Sequence, residues 1–311
     1  MTGKVLILGS SGRFGRNAAD AFQAAGWTVR GFDRARDDLS TAARGADVIV
    51  NGWNPPYTEW ARQVPDLHAQ VIGAAKATGA TVIVPGNVYV FGADTPGPWA
   101  ADTPHLATNP LGQIRIRMEE AYRSSGVRTV ILRAGDFLDT QASGNWFDQI
   151  MIKPLAKGRF VYPGDPDIAH AWAYLPDLAR AAVQLAEMRH DLPRYCDIPF
   201  AGYTLTGRQL AQALSEVTGA PVRLKQMNWW PIVLAQPFWK LAPHLLEMRY
   251  LWDTPHRLDG SFFDSLISDF ASTPLHEALK TAVSDLSHDS PRTTDVDRVQ
   301  GLSWARRHVR V

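Results

Sequence analysis

Three glycines at intervals of three, Gly9, Gly12 and Gly15, follow the apolar run Lys4-Val5-Leu6-Ile7-Leu8 and precede a helix-like segment, Arg16 to Ala25. A turn of this kind can cradle a dinucleotide. Gly9 lets the chain leave a strand tightly, Gly12 presents no side chain to a pyrophosphate, and Gly15 lets the helix approach the sheet. The helix N-terminus then turns free N–H groups toward the phosphates, with Ser10 and Ser11 as further donors. A second apolar run, Thr28 to Phe32, ends at Asp33, where a carboxylate would accept hydrogen bonds from ribose hydroxyls.

The elements that must position this turn follow from periodicity. Short apolar runs at Asp47–Asn51, Thr81–Pro85 and Thr129–Arg133 alternate with helical stretches at Trp60–Thr78 and Gly112–Ser125. That alternation predicts α/β architecture: a Rossmann-type, doubly wound parallel sheet with a smaller C-terminal substrate-binding lobe. Loops with chemistry belong after the strand C-termini, at 9–15, 51–59, 86–102 and 134–147. From about Asp139 prolines break the alternation. The expected division is 1–138 as the dinucleotide-binding domain, with 173–190 returning to it. Segments 139–172 and 191–286 form the lobe, and 287–311 a polar tail. Within the lobe, Leu205–Thr218 reads as a helix with Thr204 or Thr206 as N-cap and Gly219 after its end.

Composition narrows the classes. With 32 basic and 31 acidic residues the net charge is +1, which gives no footprint for nucleic acid or an acidic membrane surface. One cysteine, Cys196, excludes an intrachain disulfide and reads as a small buried apolar residue. Nine histidines lack metal-ligand spacing, so no metal is expected. The chain enters its first strand without a signal-peptide pattern, and the apolar 229–246 region is interrupted by prolines, Lys240 and His244. A cytoplasmic protein acting on a small molecule is the expectation.

The ordered motifs resemble those of the extended short-chain dehydrogenases/reductases, the NAD-dependent epimerase/dehydratase family. Gly9-Ser-Ser-Gly12-Arg13-Phe14-Gly15 is similar to the phosphate loop, with Ser11, Arg13 and Phe14 among its cofactor positions. Asp38-Leu39 resembles the pair around the adenine, and Asn51-Gly52-Trp53 the turn beside the cofactor. Val90-Phe91-Gly92, Ile131-Leu132-Arg133 and Leu175-Pro176-Asp177-Leu178-Ala179 complete the series, spanning Lys4 to Leu286. The resemblance implies NAD or NADP as cofactor. Asp33 favours NAD, whereas Arg34 and Arg13 stand where NADP-preferring members carry cations; the nearer carboxylate tips the balance to NAD.

The resemblance also implies where the chemistry departs from the family pattern. The family's Tyr-x-x-x-Lys pair falls on Leu111 and Arg115. Leu111 has no proton to give, while Arg115 can still hold a nicotinamide ribose. Asn87 replaces a hydroxyl residue and can polarise a substrate oxygen. Tyr89, two residues on, occupies a position that overlooks the substrate and is the candidate proton donor, with packing in a buried strand as its alternative. The positions that bind a substrate diphosphate in nucleotide-sugar members read Asp136 and His170, which argues against a nucleotide-diphosphate sugar. Asn145 and Trp146 keep the family's asparagine followed by a large apolar residue, and Trp53 and Trp146 are expected to line the pocket.

Two functions compete: an NAD(P)-dependent oxidoreductase or epimerase working by hydride transfer with a rearranged site, or a catalytically silent NAD(P)-binding sensor. By resemblance, Trp60–Thr78 and Gly112–Ser125 would be the contact helices of a homodimer.

Overall fold

In a computed structural model that describes residues 3–284, the apolar runs pair as strands and the periodic stretches as helices. In chain order these are β1 (Lys4–Leu8), α1 (Arg13–Ala24), β2 (Thr28–Phe32), α2 (Leu39–Ala42), β3 (Val48–Asn51), α3 (Trp60–Thr78), β4 (Thr81–Gly86), α4 (Pro110–Ser125), β5 (Thr129–Arg133) and β6 (Asp136–Leu138). Then follow β7 (Arg159–Tyr162), β8 (Ala169–Tyr174), α5 (Leu175–Glu187), β9 (Tyr195–Pro199), β10 (Tyr203–Thr206), α6 (Gly207–Thr218), β11 (Arg223–Gln226), α7 (Trp230–Ala235), α8 (Ala242–Glu247), α9 (Ser261–Leu266) and α10 (Leu275–Val283).

The main sheet has the order β2-β1-β3-β4-β5-β9, with every pair parallel. Strands such as Val48–Asn51 and Thr129–Arg133 are buried on both faces, which is why they read as continuous apolar runs. Helices α1 and α5 cover one face and α3 and α4 the other, each closing its own hydrophobic core. The strand order turns at β1, so the carboxyl ends of β1 and β3 open the crevice in which α/β sheets bind ligands.

The expected domain division needs three corrections. Tyr195–Pro199, assigned to the lobe, is the sixth strand of the main sheet, in register with Thr129–Arg133. Its Asp197 is buried and paired with Arg133 of β5. Conversely, 136–138 and 173–174, assigned to the dinucleotide domain, stand in a second sheet of order β10-β8-β6. That sheet and the β11-β7 pair frame a third core, around Phe147, Trp172, Leu210 and Trp252.

Of the two N-cap candidates for α6, Thr206 caps: it accepts from Gln209 N–H in a reciprocal capping box. The proposed polar tail, 287–311, lies outside the described residues. Among the described residues, no helix is long and apolar enough to cross a membrane.

Candidate functional site

The glycine turn leaves β1 through Gly9 at φ +72°, a left-handed conformation that favours glycine. A Cβ on Gly15 would lie 2.1 Å from the Gly9 carbonyl oxygen, so helix and turn touch through backbone alone. Gly12 is the N-cap of α1 and supplies no side-chain cap, leaving first-turn amides for a ligand. A Cβ there would meet only the Gly9 oxygen, at 3.1 Å; the rest of its surroundings are open. Ser11 is exposed, but Phe14 is buried in the core, so it can offer a ligand only its backbone.

Beside the turn, an open cleft of about 420 Å³ is lined by Phe32, Arg34, Asp38, Leu39 and Trp53. Trp53 packs edge-on to Phe32 at 5.4 Å, and the Arg34 guanidinium lies 5.9 Å from its ring centroid. Asp33 is exposed at the end of β2. One of its oxygens accepts from Ala35 N–H at 2.9 Å, and the other faces Arg36 at 3.4 Å. Asp38 caps the short helix α2 by accepting from Thr41 N–H, which with Ser40 lowers its pKa.

Two cofactor expectations change. The Asn51 side chain is 1% exposed and turns away from the cleft. It donates to Tyr122 Oη at 3.1 Å and meets His68 Nδ1 at 3.2 Å, behind the sheet between α3 and α4. What remains at the cleft is the backbone of Asn51 and Gly52. Arg13 donates to the carbonyls of Ser143 and Gly144, at 2.8 and 2.6 Å. With Arg16 and Asn17 bonding Asp139, it ties the phosphate helix to the lobe.

The candidate proton donors converge at the end of β4. The Tyr89 and Tyr57 hydroxyls are 2.5 Å apart, and their rings pack against Trp60. Burial raises the pKa of both phenols, Tyr89 the more strongly, and the Asp136 carboxylate adds to each rise. Tyr57 was missed in the sequence, although it falls in the loop after β3; nothing in its spacing distinguished it. Asn87 caps the turn that carries Tyr89, its Oδ1 accepting from Tyr89 N–H at 3.1 Å, which leaves only the amide N–H₂ for a substrate oxygen. Leu111 is buried apolar packing at the family's tyrosine position. Arg115 is 5% exposed, donates to the Pro85 carbonyl at 2.9 Å and lies over the Trp60 ring, with its Nε buried and unpartnered.

Across from the tyrosines, Asp136 Oδ2 and His170 Nε2 pair at 2.7 Å. His170 is 1% exposed and stacks on Trp252 at 4.3 Å, with planes 3° apart. His256 lies edge-on to His170 at 4.4 Å and itself stacks on Trp99 at 4.8 Å. Burial, with His170 beside it, lowers the His256 pKa to about 3. The 254–259 segment thus laces the two lobes together, as Trp99 N–H donating to the Arg257 carbonyl also does. Trp146 is half-buried against Trp229 and Trp252, whereas Asn145, expected at the substrate, is spent within the 143–148 turn.

Beneath the site, Arg133 is fully buried. Its Nε donates to Asp197 at 3.0 Å, one Nη to Glu119 at 2.7 Å and to Asp197, and the other Nη to the Asn87 carbonyl. His105, Glu119 and Asp197 each offer one potential ligand atom, all within 4.8 Å of one another. The guanidinium already fills that space with positive charge, so this is a charge network, not a metal centre.

No family model matches the sequence, and no curated protein does. Solved structures do match the fold. MoeE5 in complex with UDP-glucose and NAD is 16% identical, covering 90% of this chain and 97% of that one, with a TM-score of 0.70. UDP-glucuronic acid 4-epimerase from Bacillus cereus, in complex with UDP-glucuronic acid and NAD, is 15% identical over 90% and 97%, also at 0.70. A nucleoside-diphosphate-sugar epimerase from Pseudomonas aeruginosa is 16% identical over 91% and 97%, at 0.63. At this identity the likeness establishes the fold alone, a Rossmann-type α/β architecture.

Proposed function

We propose that this chain is an NAD-dependent enzyme of the oxidoreductase/epimerase kind, exchanging hydride with a carbon that bears a hydroxyl or carbonyl. The observation that carries the reading is the hydrogen-bonded Tyr57–Tyr89 pair at the sheet's carboxyl edge, beside a glycine turn free of side chains. The residues fit the cofactor: α1 amides for the pyrophosphate, the Trp53 cleft for the adenosine half, and Asp33 for its ribose. The structural neighbours crystallised with NAD support the same choice. Preference for NAD over NADP rests on the exposed Asp33 carboxylate and on Arg13 being engaged with the lobe.

The chemistry NAD would supply is hydride acceptance and return at the nicotinamide ring. Tyr89, neutral because burial raises its pKa, gives a proton to the substrate oxygen as it gains charge; the hydrogen bond to Tyr57 orients the Tyr89 hydroxyl and helps keep it in its acid form until then. The Asn87 amide polarises that oxygen, and Arg115 supplies positive charge beside the tyrosines. The opposite wall supports the proposed substrate class. Asp136 puts a carboxylate, and His170 an already paired ring, where the family would hold a diphosphate. A small substrate without a diphosphate therefore fits better than the UDP-sugars of the neighbours. Trp146, half-buried beside Trp252, supplies flat apolar surface for it. A homodimer through α3 and α4 belongs to the same reading.

One observation favours the sensor: Leu111 is buried packing and Arg115 is held by Pro85 and Trp60, so the family's proton-transfer pair is absent. A single experiment separates the two. Calorimetric titration with NAD is followed by a turnover screen of small alcohols and carbonyls alongside UDP-glucose. The enzyme reading expects NAD affinity together with turnover of a diphosphate-free compound that Tyr89→Phe removes while NAD still binds. NAD affinity without turnover of any compound would leave the sensor, turnover of UDP-glucose would overturn the substrate class, and absence of NAD affinity would end both readings.

A further inference from the structure

The segment between β11 and α8 exposes apolar side chains that the proposed chemistry does not use. Trp230, Leu234 and Phe238 are 68%, 71% and 92% exposed. They recur every fourth residue along α7 and the turn that continues it, a spacing that puts neighbours on one side of a helix. Meanwhile Ile232 packs inward on the lobe core. A helix that is apolar both inward and outward calls for a partner on its outer side.

The residues leading into this helix show what that partner is. Strand β11 pairs with β7 in parallel register, placing Arg223 directly beside Arg159, and Lys225 lies two residues further along the same face. Like charges side by side on a strand pair cost stability. Lys153 and Lys157, with Arg159, line an adjoining open hollow of about 340 Å³. All five cations are exposed, and among the described residues none has an ion pair or a side-chain hydrogen bond. Only four residues separate Lys225 from Trp230, so this cation lies within about 17 Å of the start of the apolar row. The balanced total charge of +1 conceals this local segregation.

We propose that this face docks on an anionic lipid surface, with Trp230, Leu234 and Phe238 entering the headgroup region and the five cations meeting lipid phosphates. Aromatic and aliphatic residues beside unpaired Lys and Arg are the composition of an interfacial segment that lies on a membrane without spanning it. A second copy of this chain is a poorer occupant, because a two-fold contact through this patch would bring cation against cation. The same stretch of chain continues to Tyr250 and Trp252, so docking would hold the roof of the candidate site at the bilayer surface.

The test is flotation of the full chain with phosphatidylcholine vesicles, with and without phosphatidylglycerol. Binding is expected only with the anionic lipid, and it should fall as salt is raised. The triple variant Trp230→Ser, Leu234→Ser, Phe238→Ser should lower binding on the order of tenfold or more. Arg223→Glu with Lys225→Glu should lower it about fivefold per cation, roughly 25-fold together. These positions are exposed, and circular dichroism of the variants checks that folding is unchanged. Failure to float with anionic vesicles, or a triple variant that floats like the parent, overturns the proposal. A concentration-dependent dimer in sedimentation that the triple variant abolishes, without vesicle binding, would assign the face to a second copy instead. Binding of inorganic phosphate that the triple variant leaves intact, again without flotation, would reduce the patch to a site for free anions.

Discussion

The Tyr57 and Tyr89 hydroxyls share a 2.5 Å hydrogen bond although one residue lies in the loop after β3 and the other at the end of β4. Both phenols are pushed above their ordinary value near 10 by burial, and for Tyr89 the bond to Tyr57 adds to the rise. Tyr89 is therefore in its acid form throughout the neutral range, and reduction should be insensitive to pH there. Tyr89→Phe should lower kcat by roughly 10²–10⁴ with little change in NAD affinity. Tyr57→Phe should cost less and move the alkaline limb of the kcat profile to lower pH, because one influence raising the Tyr89 pKa is removed. A limb that moves upward, or not at all, would show that the two tyrosines do not act as a pair.

Gly15 tests the phosphate turn. An alanine there must displace the Gly9 carbonyl, 2.1 Å from the new Cβ. Gly15→Ala is expected to lose NAD affinity by an order of magnitude or more and to destabilise the fold by about 1–3 kcal/mol. Calorimetry and urea unfolding measure the two effects separately. Undiminished affinity would mean that the dinucleotide binds elsewhere.

Arg133 holds β5, β9 and α4 together through Asp197 and Glu119, and also grips the Asn87 carbonyl. Arg133→Met leaves two buried carboxylates facing each other, so a loss of about 3–5 kcal/mol is expected in denaturant unfolding. Replacing the carboxylates as well, in Arg133→Met/Glu119→Gln/Asp197→Asn, should recover part of it. A single variant as stable as the parent would show that the network is not what holds the strands.

His68 and His256 link stability to pH. Burial lowers the pKa of each to about 3, against 6.5 in the unfolded chain. Above pH 6.5 both are neutral in either state and the fold has its full stability. Between 6.5 and 3 only the unfolded chain takes up these protons, so stability falls as pH falls, by at most roughly 1.4 kcal/mol per pH unit for each histidine. Urea midpoints measured at pH 7 and pH 5 should drop accordingly, and His256→Gln should flatten the slope. An unchanged slope in that variant would locate the proton uptake elsewhere.

Much of this protein was legible in its residue order, for reasons of local physics. The glycine turn, five central strands and the helices between them follow from steric demands and from runs buried on both faces, which depend on neighbours in the chain. Asn87 and Tyr89 were expected on one face of an extended segment, but β4 ends at Gly86 and Val88–Val90 is a short 3-10 turn that Asn87 caps. Tertiary structure alone decided what depends on distant partners. Asn51 turned away because Tyr122 and His68 satisfy its amide behind the sheet, and Arg13 is engaged by carbonyls some 130 residues away. Tyr195–Pro199 joined the main sheet because a buried Arg133 makes its Asp197 acceptable inside. Tyr57 became visible only once loop and strand end met. Periodicity records which face of an element is buried. It does not record which polar group across the fold makes that burial tolerable, and at this site those long-range pairings select the chemistry.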